Sequence, residues 1–78
     1  IISVSPNPVR NLLYINAKNR IQYKIKLINQ LGQVLEMGEN ISRIDMSSYP
    51  AGIYYLKLQP IHGAHDLKGK SISLIKTD

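Results

Sequence analysis

Through residues 21–27 apolar and polar side chains alternate without a break: Ile21, Tyr23, Ile25 and Leu27 fall on one side, Gln22, Lys24 and Lys26 on the other. A period of two fits an extended strand with one face buried and one in water, because successive side chains of a strand point to opposite faces. Residues 53–59 alternate in the same way, with Tyr54, Leu56 and Leu58 opposite Ile53, Tyr55, Lys57 and Gln59, so their outer face is mixed rather than polar. Further short runs of Ile, Leu, Val and Tyr lie between clusters of Pro, Gly, Asn and Ser, and no helical period competes with them. The pattern predicts seven strands, over residues 2–5, 12–15, 21–29, 33–37, 41–46, 53–59 and 70–76, and hence an all-β antiparallel sandwich or barrel. Val4, Leu13, Ile15, Ile44, Met46, Ile72 and Leu74 complete the expected core.

The punctuation between these runs is specific. Asn29-Gln30-Leu31-Gly32-Gln33 reads as a hairpin in which Gly32 takes positive φ at the end of a type I turn with a bulge. Pro6-Asn7-Pro8 cannot continue a central strand, since two amide donors are missing and the residue before each proline is held extended; it should carry the chain from one sheet to the other. Tyr54, close behind Pro50-Ala51-Gly52, sits where sandwich domains place a tyrosine corner, so its ring should be buried and its hydroxyl bonded to backbone near residues 46–49. The connection over residues 60–69 is longer than a hairpin loop and is expected to be mobile.

At 78 residues the chain forms one domain, because so short a polypeptide buries only about 60% of its unfolded surface. There is no Cys, Trp or Phe, so disulfides and thiolate metal sites are excluded and the large core volume falls to Leu, Ile and five Tyr. Ten Lys and Arg against five Asp and Glu give a formal charge of +5. These bases are scattered from Arg10 to Lys76 without a run, which argues against nucleic-acid binding, and no apolar stretch is long enough to insert in a membrane. The chain lacks a starting Met and a signal peptide, from which Ile1 is expected to be an internal position of a longer protein or the product of a cut.

Catalytic chemistry finds little to build on. His62-Gly63-Ala64-His65-Asp66 brings two imidazoles and a carboxylate close in sequence, but H-x-x-H in a loop lacks the helical spacing that sets two His on one face, and solvated loop polars explain it as well. Glu36, Glu39, Asp45, Asp66 and Asp78 show no pairing, and no nucleophile motif occurs. No residue is read as catalytic, cofactor-binding or metal-ligating.

Three segments nonetheless stand in a telling order: Ser5-Pro6-Asn7-Pro8-Val9 with Leu13-x-Ile15; Leu27-x-Asn29-x-Leu31-Gly32-Gln33-Val34; and Ile44-Asp45-Met46-Ser47 leading to Pro50-Ala51-Gly52-Ile53-Tyr54-x-Leu56-Lys57-Leu58. Together with the ending Leu74-Ile75-Lys76 they resemble the carboxyl-terminal sorting domain, type A, of the type IX (Por) secretion system. The sequence departs from that family's pattern at Ile28, often Tyr there, in the length of residues 60–69, and in Thr77 and Asp78 beyond the final Lys. The resemblance implies an immunoglobulin-like sandwich at the end of a surface or secreted protein of a Gram-negative bacterium. It also implies recognition by an outer-membrane translocon after passage through the periplasm, and a sortase-like cysteine protease that removes the module from the passenger on its amino-terminal side. The residues that carry it are Pro6, Asn7, Pro8, Asn29, Gly32, Gln33, Gly52, Tyr54, Lys57 and Lys76. Taken singly, Pro6, Asn7 and Pro8 have a plain structural explanation as a corner, Gly32 as a turn, and Gly52 with Tyr54 as another corner.

If the third, sixth and seventh strands are neighbours, Lys24, Lys26, Tyr55 and Lys57 form an exposed basic and aromatic patch able to dock an acidic partner; a merely solvated face is the alternative. A different function is also open, an immunoglobulin- or fibronectin-like adhesion or carbohydrate-binding accessory module of a secreted enzyme, since fold alone does not separate the two.

Overall fold

The computed structural model describes residues 2–18, 21–61 and 69–78. Among these residues seven strands run in order: β1 Ile2–Ser5, β2 Leu12–Ala17, β3 Tyr23–Ile28, β4 Val34–Glu39, β5 Arg43–Asp45, β6 Gly52–Pro60 and β7 Lys70–Lys76. They form a three-stranded sheet, β1-β2-β5, and a four-stranded sheet, β4-β3-β6-β7, all pairs antiparallel. This is an immunoglobulin-like β-sandwich in which the fourth strand joins the sheet of the third, sixth and seventh. No helix occurs among the described residues.

The alternation dictates the packing. Tyr23, Ile25 and Leu27 of β3 and Tyr54, Leu56 and Leu58 of β6 point inward to meet Leu13 and Ile15 of β2 and Ile44 of β5. Leu13, Leu27, Leu56 and Leu74 are wholly buried. Among the described residues thirteen hydrophobic side chains form this core, with Val4, Ile72 and others half-buried against it.

Strand ends depart from expectation where side chains redirect the chain. The fifth strand is confined to Arg43–Asp45 rather than residues 41–46. Asn40 adopts positive φ, 55°, and its amide oxygen accepts from Tyr23 N at 3.1 Å while its own N–H donates to Tyr23 O at 2.9 Å. That closure turns the chain toward the other sheet, so Ile41 belongs to the crossing, where its carbonyl accepts the Tyr23 hydroxyl. Met46 leaves β5 to donate to Asn11 O at 2.7 Å. The third strand starts at Tyr23 and ends at Ile28, while β2 and β4 each extend two residues beyond the expected limit. Residues 62–68, with the His62 and His65 pair and the tip of the long connection, lie outside the described residues.

Candidate functional site

Pro6-Asn7-Pro8 does carry the chain between sheets. Leaving β1, this segment reaches the outer edge of β7, where Val9 forms a parallel bridge with Lys76. Val9 N donates to Ile75 O and Thr77 N donates to Val9 O, both at 2.8 Å. Asn7 extends the ladder with its side chain, donating from Nδ2 to Ser73 O and accepting at Oδ1 from Ile75 N, each at 3.0 Å. Both proline peptide bonds, Ser5-Pro6 and Asn7-Pro8, are cis. Val9 is fully buried, although it follows two prolines and shows no period that would mark it as core.

Residues 29–33 make the hairpin between β3 and β4. Gly32 N donates to Asn29 O at 3.0 Å and Asn29 N to Gln33 O at 3.0 Å. Gly32 holds φ at +83°, and the register shifts between Leu27 and Ile28. Asn29 Oδ1 accepts from Leu31 N and Gln33 N, and its Nδ2 donates to Gln33 Oε1 at 2.7 Å. The three motif residues Asn29, Gly32 and Gln33 therefore build one hydrogen-bonded turn, and Leu31 stands at its tip, 84% exposed.

The approach to β6 is a corner. Asp45 Oδ1 accepts from Ser47 N at 2.9 Å and Ser47 Oγ at 2.7 Å, and these bonds hold its carboxyl below the usual carboxylate range. The Tyr54 ring is buried and its hydroxyl donates to the Pro50 carbonyl, four residues upstream. The acceptor lies one residue past the expected segment, and Tyr49 makes a contact of its own. The Tyr49 hydroxyl donates to Glu36 Oε2 at 2.6 Å, and its ring tilts 37° against Tyr54 with centroids 6.0 Å apart. Burial, then the Glu36 hydrogen bond and charge, push the Tyr49 hydroxyl up to about 12. Burial also raises the Tyr23 hydroxyl above its ordinary value. Gly52 opens β6 at φ +153°, where side-chain-bearing residues are strained.

Lys76 pairs with Gly52 in the β6–β7 register. Its side chain is buried, 4% exposed, and Nζ donates to Thr77 O at 2.7 Å. The alternation Ile72, Leu74, Lys76 turns it inward.

The registers bring the motif residues to one end of the sandwich. Gly52 and Val9 both pair with Lys76, Ile28 pairs with Tyr55 three residues into β6, and a cleft of about 210 Å³ is lined by Asn29, Gln30, Leu31 and the stretch from Pro50 to Tyr54. The other ends of these strands, at Ile2, Tyr23, Glu39, Pro60 and Lys70, lie at the opposite pole. Lys57 is the exception among the motif residues: it sits mid-strand on the outer face.

That outer face carries Lys24, Lys26, Tyr55 and Lys57 together, all exposed. Lys26 is directly opposite Lys57, Lys24 opposite Gln59, and Ile28 opposite Tyr55. The sequence had placed Ile53 on this face, mixed rather than polar, but not its other apolar residues: Val34, Met37, Ile53 and Ile75 are 47%, 64%, 40% and 51% exposed. No cluster of His, Asp and Glu able to hold a metal occurs among the described residues.

No curated protein compared matches the chain. A family model, described as the secretion system C-terminal sorting domain, matches residues 3–74, from within β1 to within β7 and across every motif residue but Lys76. The chain therefore belongs to the C-terminal sorting domain family and is a sorting signal of type IX secretion.

Proposed function

We propose that this chain is the terminal, single-domain module of a longer secreted protein, a type A sorting domain that the type IX outer-membrane translocon reads in folded form while its passenger waits in the periplasm. The family implies export to the cell surface or the medium, together with an amino-terminal passenger, and it is not an enzyme family. We read the chain itself as non-catalytic, with the chemistry left to the passenger, and as a piece that a sortase-like cysteine protease cuts away after export. The adhesion or carbohydrate-binding alternative has no support from the family match.

One observation carries the reading beyond family membership. The motif residues of three separate segments assemble at one pole, whereas β1 begins at the other with Ile2. A passenger joined ahead of Ile2 is thus held away from the motif pole, which stays free for a receptor. A receptor that reads this pole reads the fold, because Asn7, Gly32 and Gly52 reach it from the edge of β7, the β3–β4 hairpin and the start of β6, and come together only once those strands have paired.

The test fuses the module to a periplasmic fluorescent protein in a host with a working type IX system and measures label outside the cell. Export at the level given by a verified sorting domain is the expected result. Retention of the fusion, while the verified domain exports the same cargo, would overturn the proposal.

A further inference from the structure

Lys26 and Lys57 face each other across the centre of the β3–β6 ladder on its solvent side. Directly opposed residues of antiparallel strands have Cβ atoms about 4.5–5.5 Å apart, and like charges in that position oppose folding. Their other neighbours in register, Met37 and Ser71, carry no charge, and the acidic residue Glu39 stands opposite Lys24 instead. Beside this pair, toward the motif pole, exposed Val34, Tyr55, Ile53 and Ile75 continue the face as an apolar band. Neither the opposed lysines nor the bare apolar band benefits the free module, and contiguous exposed apolar surface on a soluble domain marks an interaction site.

We infer that the outer face of the β4-β3-β6-β7 sheet docks a protein segment bearing a carboxylate amid apolar side chains. The Lys26 and Lys57 ammonium groups take the carboxylate between them; Tyr55, Ile53 and Ile75 take the apolar side chains. Charge complementarity selects this occupant. A second copy would bring the same lysines, and a purely anionic surface such as lipid phosphate would satisfy the lysines but not the band. Held between two ammonium groups in a desolvated contact, the carboxylate relieves their repulsion, so the feature that costs the free module is repaired in the complex. This inference rests on the sorting reading for placing the partner in the export machinery; the chemistry of the face does not depend on it.

The test places a photoreactive benzoylphenylalanine at Tyr55 of the cargo fusion in the type IX host, with Tyr14 on the other sheet, 45% exposed, as the control position. The expected result is a protein adduct from position 55 but not 14, with Asp or Glu in the crosslinked segment identified by mass spectrometry. Lys26→Glu with Lys57→Glu should lower both adduct and export about tenfold or more. Lys26→Glu alone, which turns the like pair into an opposite pair, should raise the Tm of the purified module and still lower export, a combination that a merely structural role does not give. Lys18→Glu with Arg43→Glu, the same charge change away from this face, should leave export intact. An adduct that survives the double reversal, that forms equally from position 14, that is a lipid or a second copy, or that lacks carboxylates overturns the inference, as does the absence of any adduct. If a charge-dependent adduct forms but the unaltered fusion is not exported, the sorting reading fails and the docking face stands.

Discussion

The side-chain amide of Asn7 takes the place of a peptide group beside Ile75: its Oδ1 accepts the Ile75 N–H at 3.0 Å, and its Nδ2 donates to the Ser73 carbonyl at 3.0 Å. A proline cannot donate to a ladder, and Asn7 lies between two of them, so its side chain supplies what the local backbone lacks. The motif thereby works as a clasp on the outer edge of β7. Asn7→Ala removes both bonds at a solvent-accessible edge, with an expected loss of about 1–2 kcal/mol. Asn7→Asp should do at least as much harm, since a carboxylate oxygen would then face the Ser73 carbonyl. Urea midpoints of the two variants decide; unchanged midpoints would mean the clasp contributes nothing.

Tyr54→Phe keeps the buried ring and its contact with Tyr49 but deletes the bond to the Pro50 carbonyl. The expected cost is about 0.5–1.5 kcal/mol, read as a lower denaturation midpoint with an unchanged slope. A midpoint equal to that of the parent would reject a stabilising role for the corner.

Tyr49 makes stability depend on alkaline pH. Its hydroxyl is raised in the folded chain from the model-compound value of 10.0 to about 12. A raised pKa means that the folded state holds the proton more tightly, so the associated stability is fully present below pH 10 and is lost as pH rises toward 12. Tyr49→Phe should flatten part of this decline, and Glu36→Gln should bring the Tyr49 titration down, both followed by ultraviolet absorbance and by denaturation midpoints across that range. A Tyr49 titration unmoved by Glu36→Gln would contradict the assigned hydrogen bond.

Deleting residues 70–78 takes away Leu74, fully buried, half-buried Ile72 and the whole partner edge of β6. Loss of a large buried side chain alone costs about 2–5 kcal/mol, comparable to the entire stability of a domain this small. The truncated module should show no cooperative unfolding transition, and its passenger should remain in the periplasm. A cooperative transition in the truncated chain, or its export at the parental level, would defeat this expectation.

The strict alternation of β3 and β6 made their inward and outward residues legible, and Gly32 made the hairpin so, because both are local properties of the backbone. What could not be read depends on register. That Lys26 meets Lys57 follows from how two strands separated by the whole of β4 and β5 align, and no residue near either one announces it. Tyr49 and Glu36 meet because Tyr49, on the corner between the sheets, reaches across to β4. Val9 was hidden by the prolines ahead of it. Lys76 was different: the period of Ile72 and Leu74 pointed it inward, but its charge argued for solvent, and the Thr77 carbonyl resolves the conflict by accepting its ammonium group. Asn40 took Ile41 out of the start of the expected fifth strand through a positive φ that Asn tolerates better than most residues.

The contacts that shut this sandwich join Asn7 and Val9 to Ile75 and Thr77, partners 68 positions apart in sequence. A nascent chain emerging from the ribosome cannot make them until Thr77 has been added, and a product that is stalled or trimmed before β7 never makes them. A receptor that demands the closed sandwich therefore receives, along with an address, a certificate that translation ran through the module to its final strand, and fragments that lack it are left behind.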